Sequence, residues 1–205
     1  MNYQVIKKQE IAEMPSRYRA SLINSLSGIK GGHLLGTSNK EGQTNLAIFN
    51  SIVHIGANPP LMGFILRPTT VERHSWANIQ STNCFTLNLI KSDFVEKAHQ
   101  TSAKYPAEVS EFEAVGLTPL LVENMEAPFV KESAIGIGLR FKERIPIPLN
   151  GTSLVIGEIE FVRIGEDLIL TDGMLDLEKA NTISIQGLNT YYAPNKIGQF
   201  PYAKP

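Results

Sequence analysis

Two stretches of the sequence combine polar and charged residues in a way that suits an anionic ligand. The first interrupts a β-type pattern with Asn and Ser on either side of a small Ala, so backbone N–H groups there can face the edge of a ligand. An ordinary strand end followed by a turn would give the same pattern, and the residues alone leave both interpretations open. This segment 45–51 consists of Asn45, Leu46, Ala47, Ile48, Phe49, Asn50 and Ser51.

The second stretch, segment 67–75, surrounds the predicted start of a helix. Helix N-termini attract phosphate through free N–H groups and the helix dipole, and arginine adds a planar charged donor. Thr69 and Glu72 have the spacing of a capping box, in which Glu72 would compete for the same N–H groups. A capped loop with solvated arginines is the alternative. The candidate phosphate ligands are Arg67, Thr70, Arg73, His74 and Ser75.

Other kinds of catalytic machinery are not found in the sequence. It has no glycine-rich dinucleotide or P-loop motif, no Gly-x-Ser-x-Gly and no evident pair of nucleophile and base. Cys84 is the only cysteine, and the four histidines have no metal-ligand spacing. We therefore expect no metal and no catalytic side chain. A bound cofactor that brings its own chemistry would explain why these motifs are absent.

The elements that must position these two segments are mostly strands. Helices do not alternate regularly with them, which argues against a doubly wound parallel sheet and favours a mainly β fold, a barrel with peripheral helices. Asn150-Gly151 between two β-rich runs is a hairpin signal, and Gly157 predicts a bend in the long strand that follows. The patterns predict helices over about 15–28, through Trp76 and over 94–101, a loop that passes into a helix over 172–180, and strands over 33–38, 43–49, 51–55, 61–66, 84–90 and 154–164. We expect Trp76 to pack its helix onto the barrel rather than to stack on a flavin.

Composition and charge limit the classes of partner. With 19 basic and 20 acidic residues the formal net charge is −1, so there is no basic field for nucleic acid or an anionic membrane. The longest apolar runs are too short to span a bilayer, and the N-terminus lacks an apolar signal region. We expect one cytoplasmic domain over 1–205, with a helix over about 15–28 and an extended aromatic tail over about 187–205.

The ordered set of motifs resembles the flavin-reductase-like, FMN-binding split-barrel family over about residues 32–205. Segment 45–51 supplies Asn-x-Ala-x-Phe-x-Ser, and Pro59-Pro60-Leu61 follows it. Segment 67–75 then leads into a helix, and a strand of the Phe-Thr-Leu-Asn type comes next. The closing Tyr202-Ala203-Lys204-Pro205 is similar to the family's tail. Each motif is weak alone, and the resemblance rests on their order.

The resemblance implies a Greek-key split β-barrel with peripheral helices, a homodimer with FMN near the subunit interface. It implies that the flavin ring lies over segment 45–51 and that Arg67, Thr70, Arg73, His74 and Ser75 surround the phosphate. The implied activity is hydride transfer from NAD(P)H to flavin and on to a small or protein acceptor. Two alternatives stay open. One is an FMN-binding electron carrier without nicotinamide activity, and the other is a barrel that binds a different ligand and no flavin.

Overall fold

The structure is a computed structural model that describes residues 2–204, and it is mainly β with peripheral helices. None of the helices in these residues has both the length and the apolar character needed to cross a membrane. A short 3₁₀ turn, Ser92–Phe94, precedes the fourth helix. The helices are α1 Lys8–Glu13, α2 Ser16–Leu26, α3 His74–Thr82, α4 Val95–Gln100 and α5 Glu111–Val115.

The strands form one large antiparallel sheet and two small ones. The large sheet has the order β3-β2-β6-β9-β10-β5-β4, the second is β1-β11-β12, and β7 pairs with β8. The strands are β1 Lys30–Gly31, β2 His33–Ser38, β3 Thr44–Phe49, β4 Ile52–Ala57, β5 Pro60–Leu66, β6 Cys84–Leu89, β7 Pro119–Val122, β8 Met125–Val130, β9 Ile135–Ile147, β10 Thr152–Ile164, β11 Ser184–Gln186 and β12 Thr190–Tyr192.

The long β9–β10 hairpin bends the large sheet. Its turn contains the predicted Asn150-Gly151: the Asn150 side-chain oxygen accepts the Thr152 N–H at 3.1 Å, and Gly151 has a φ of +73° that favours glycine. The register of β9 against β10 shifts at Ile156/Gly157 and again a few residues later. Such bulges bend and twist a strand. The predicted bend at Gly157 is therefore confirmed, and the ring of Phe85 lies directly against this glycine.

The barrel core is lined by fully buried aromatic and aliphatic side chains, and α3 packs against it. Phe64 and Phe85 meet edge to face with ring centroids 5.4 Å apart. Trp76 and Ile79 of α3 join the same cluster, so the expectation that Trp76 packs a helix onto the barrel is confirmed. Burying one such side chain contributes about 1.5–3 kcal/mol. This packing fixes where α3 begins relative to the sheet.

A second core cluster lies between β2–β3 and the helices α4 and α5. Leu46 of β3 and Phe112 of α5 are both fully buried in it, together with Ile183, just before β11, and Ile185 of β11. Because Phe112 is the second residue of α5, the start of this helix is held against the outer side of β3. The same packing brings its first residue, Glu111, to the strand.

Several elements differ from those that the sequence patterns predict. Helix α2 has the expected bounds, yet it buries none of its side chains, and α1 and the β7–β8 hairpin were not predicted. A helix before Ala180 is absent from the described chain, where Asp172 instead accepts the Met174 N–H in a turn and Gly173 takes a φ of +84°. A positive φ at that glycine does not fit a right-handed helix.

Candidate functional site

Helix α3 begins four residues later than a capping box at Thr69 would place its first turn. The N-terminal cap is Arg73, in an extended conformation, and its carbonyl accepts the N–H groups of Trp76 and Ala77 at 2.9 and 3.0 Å. The capping-box prediction is wrong because the buried face of α3 starts at Ser75, whereas Thr69 lies in an exposed turn. The N–H groups of His74 and Ser75 are in the first turn, where the helix itself offers no acceptor.

Segment 45–51 runs along β3, an edge strand of the large sheet, and continues into the turn before β4. Ala47 lies opposite Leu35 of β2 in the ladder. The Leu46 N–H instead donates to Glu111 Oε2 at 2.9 Å, so it points away from β2. Alternate residues of an antiparallel strand direct their N–H groups to opposite sides. The Ile48 N–H therefore also faces the open side of β3.

One buried hydrogen bond joins the two segments. Asn45 Nδ2 donates to Ser75 Oγ at 2.9 Å, and both side chains are at most 9% exposed. Beside this bond lies a pocket of about 130 Å³, which we call the Asn45–His74 pocket. The predicted segments are thus brought together in space. The pocket is lined by Asn39, Gln43, Thr44, Asn45, Glu72, His74, Ala77, Asn78 and Ala107.

The remaining residues of segment 45–51 take part mainly through their backbone or as anchors. The Leu46 side chain is fully buried, and Phe49 packs edge to face on Phe64 with centroids 5.1 Å apart. Asn50 Nδ2 donates to the Gly187 carbonyl at 2.8 Å, which ties the segment to the start of the C-terminal tail. The Ser51 carbonyl accepts the Ile65 N–H at 3.0 Å. Only part of the segment can therefore offer side chains to a ligand.

The charged residues of segment 67–75 are not all at the pocket. Arg67 and Thr70 are exposed in the loop after β5 and do not line it. Arg73 is half-buried, and its Nε donates to the Pro68 carbonyl at 3.3 Å, which closes the loop. His74 does line the pocket. Of the predicted phosphate ligands, the structure thus places His74 and Ser75 at the junction with segment 45–51.

Glu111 is an ionisable residue near the site that the sequence interpretation missed. Its side chain is buried, and burial raises its pKa above the usual range, opposed by the hydrogen bond from Leu46 N–H, by its own backbone N–H and by nearby His74. Glu113, two residues along, is exposed. No local pattern distinguishes the two glutamates, because the difference depends on which side of α5 meets β3.

Two further titratable side chains, His33 and Cys84, lie outside the candidate site. Burial lowers the pKa of His33 to about 4, against a weaker opposing effect of the Gly31 carbonyl. Burial raises the pKa of the Cys84 thiol, and its hydrogen bond to Glu126 acts in the same direction. Both groups are therefore uncharged near neutral pH. Within residues 2–204, no three His, Cys, Asp or Glu side chains come together in a way that could hold a metal ion.

The sequence model of the flavin reductase like domain matches residues 26–178, a range that contains both segments, α3 and Glu111. This chain belongs to the flavin reductase-like family. The flavin reductase-like domain covers most of the chain, and its split barrel is the large sheet described above, so the predicted fold class is confirmed.

Solved structures extend the likeness beyond the matched range. A split-barrel protein from Shewanella frigidimarina NCIMB 400, assigned as a flavin reductase, is 44% identical with a TM-score of 0.94, covering 98% of this chain and 100% of its own. Nitrilotriacetate monooxygenase component B from Bacillus cereus has a TM-score of 0.85 at 21% identity, over 98% and 100% of the chains. Flavoredoxin of Desulfovibrio vulgaris (Miyazaki F) has a TM-score of 0.75 at 22% identity, over 86% and 92%. The last two comparisons show the shared fold.

Proposed function

We propose that this flavin reductase-like protein binds FMN across segments 45–51 and 67–75 and passes electrons from NAD(P)H to a small or protein acceptor. The observation that carries the proposal is the buried hydrogen bond from Asn45 to Ser75, because it joins an edge strand with free donors to the N-terminus of a helix. FMN has an extended ring at one end and a phosphate at the other. The two halves of the site differ in the same way.

The phosphate end of the proposed site is the first turn of α3. The N–H groups of His74 and Ser75 suit an anion, and the helix dipole adds to the attraction. Arg73 at the helix cap supplies a positive charge beside them. The Asn45–His74 pocket, at about 130 Å³, lies below the usual 300–1,000 Å³ of small-molecule sites. It has room for a phosphate group rather than for a three-ring flavin.

The ring end is the open side of β3. There the Ile48 N–H is a backbone donor that can face the polar edge of the ring, and the neighbouring Ala47 has a small side chain. When bound, FMN supplies the hydride-accepting chemistry itself. The residues of this chain need only bind and orient FMN, so the reaction needs no side-chain acid or base.

Reduction by a nicotinamide tests the function directly. The FMN-loaded protein, mixed anaerobically with NADH or NADPH, is expected to lose its oxidised-flavin absorbance with at least one of them, because the open side of β3 leaves a ring face for the nicotinamide. Stopped-flow absorbance measures the rate. Dithionite serves as the control that the bound flavin is reducible. Reduction by dithionite and by neither nicotinamide would falsify the reductase function and favour an electron carrier.

The phosphate end is tested by Arg73→Ala. We expect FMN binding to weaken by about 1–3 kcal/mol, and riboflavin binding to change much less, since only FMN carries the charge. Fluorescence titration gives both dissociation constants. Arg67→Ala is the matched comparison, with a smaller expected loss because Arg67 is exposed away from the pocket. If the Arg73 variant loses the same affinity for FMN and for riboflavin, this residue does not contact the phosphate.

We further propose a homodimer, with the second copy completing the ring end of the site. Support comes from the small size of the Asn45–His74 pocket and from large apolar side chains that lie in solvent. Tyr18 and Leu26 of α2 are 62% and 70% exposed, and Phe200 and Tyr202 of the tail are 85% and 91% exposed. Apolar surface of this kind is typical of an interaction face.

A further inference from the structure

We propose that Glu111 is a positioning residue of the FMN site. Its carboxylate accepts the Leu46 N–H and so holds edge strand β3 in a position where the Ile48 N–H can donate to the ligand. This inference rests on the proposed FMN function. Glu111 does not line the Asn45–His74 pocket, and its side chain is only 7% exposed. Carboxylates are seldom buried this deeply unless they are paired or hydrogen-bonded. Its place in the fold therefore calls for a specific partner.

The partner is the outward side of β3, which the start of α5 contacts at two successive positions. Ser110 Oγ and Thr44 Oγ1 are 2.7 Å apart, and the Leu46 N–H donates to Glu111 Oε2 at 2.9 Å. Thr44, Leu46 and Ile48 are alternate residues, so their backbone N–H groups all point to the open edge of β3. The start of α5 is thus hydrogen-bonded to β3 at Thr44 and Leu46. Within residues 2–204 no such bond reaches the next alternate residue, Ile48, whose side chain packs on the core cluster that contains Leu46 and Phe112.

This arrangement decides which backbone donors a ligand can reach. An edge strand presents a row of unpaired N–H and C=O groups to any partner. The Leu46 N–H is already bonded to the Glu111 carboxylate, whereas in the described part of the chain no residue of α5 accepts the Ile48 N–H. The hydrogen bond also fixes the distance between the backbone of β3 and α5. A shift of β3 would move the Ile48 N–H relative to the first turn of α3, to which Asn45 ties the same strand.

Two substitutions separate the effect of the Glu111 side-chain length from the effect of its charge. Glu111→Gln keeps an oxygen at the same distance and removes the charge, whereas Glu111→Asp keeps the charge and shortens the side chain. Positioning predicts FMN binding within about threefold of wild type for Glu111→Gln and about tenfold weaker binding for Glu111→Asp. Glu113→Asp, on the exposed side of the same helix, is the matched control and should bind as wild type.

Two further readouts distinguish positioning of β3 from a general loss of structure. Because β3 holds the ring end, Glu111→Asp should weaken FMN and riboflavin by the same factor, unlike Arg73→Ala. Amide hydrogen exchange should be faster at Leu46 in Glu111→Asp and unchanged in the β9–β10 hairpin, which a global loss of stability would also accelerate. These measurements do not depend on turnover.

The outcomes separate the two proposals. Wild-type binding in Glu111→Asp, or binding in Glu111→Gln as weak as in Glu111→Asp, would overturn the positioning role and leave the FMN function standing. A loss confined to FMN with riboflavin unchanged would place Glu111 at the phosphate end and overturn it as well. If the wild-type chain binds neither FMN nor riboflavin, the proposed function and this inference fail together.

Discussion

Replacing Gly36 with alanine is expected to lower the free energy of unfolding by about 3 kcal/mol, the upper part of the range for overpacked cores. A Cβ at this position would overlap the backbone carbonyl oxygen of Pro128 and lie 2.6 Å from Thr86 Oγ1. The carbonyl belongs to β8, so it cannot yield as the tip of a flexible side chain would. Gly36 lies opposite Leu46 in the ladder, so the displacement should reach segment 45–51.

Thermal unfolding and FMN titration measure this effect. For a chain of this length, about 3 kcal/mol corresponds to a fall in Tm of roughly 6–12 °C. Gly56→Ala is the matched control, because its Cβ would meet nothing nearer than the Pro59 carbonyl at 3.6 Å and its φ is not positive. If the Gly36 variant melts at the wild-type temperature and binds FMN as tightly, the close approach of β8 to β2 is not a constraint on the site.

Truncation after Asn189 is expected to abolish the proposed homodimer and to weaken FMN binding by about tenfold or more, the effect of losing over 1.4 kcal/mol. It removes β12, in which Tyr191 packs on the second core cluster and its hydroxyl lies 2.7 Å from His99 Nδ1. It also removes the exposed aromatic residues Phe200 and Tyr202. The loss of β12 acts close to Gly187, because Thr190 pairs with Gln186 and Asn50 is hydrogen-bonded to the Gly187 carbonyl.

A second truncation, after Tyr192, separates the strand from the tail. It keeps β12 and the contact with His99, so its Tm should stay near that of the full chain while the dimer is lost. Sedimentation equilibrium at micromolar concentration reports the assembly of all three proteins. A full-length chain that sediments only as a 22.6 kDa species would contradict the dimer. A dimer that persists in both truncated proteins would show that the tail is not part of the dimer interface.

The sequence was sufficient to predict the fold class and most strands of the large sheet, and it suggested the two candidate segments. Alternating apolar residues and the Asn150-Gly151 turn act over a few neighbouring positions, so the long hairpin and its bend near Gly157 could be predicted. The order of motifs along the chain identified the split barrel, because each motif marks one element. Composition and charge likewise need no knowledge of contacts.

The start of α3 and the exposure of α2 are two features that local sequence patterns did not predict. Thr69 and Glu72 have the spacing of a capping box, yet α3 starts at His74 because Trp76 and Ile79 must enter the barrel core. The apolar face of α2 is regular in sequence and still buries none of its side chains within this chain. Whether an element is buried depends on what it packs against, which its own periodicity does not contain.

Only the tertiary structure decided how the site is assembled. Asn45 meets Ser75 across 30 residues of sequence, and Leu46 meets Glu111 across 65. The same packing turned Leu46 and Phe49 into the core, left Arg67 in solvent, and buried Glu111. These contacts depend on strand register and on how α3 and α5 dock against β3. No residue pattern of a few positions encodes such distances, since they arise from the balance of burial and hydrogen bonding over the whole barrel.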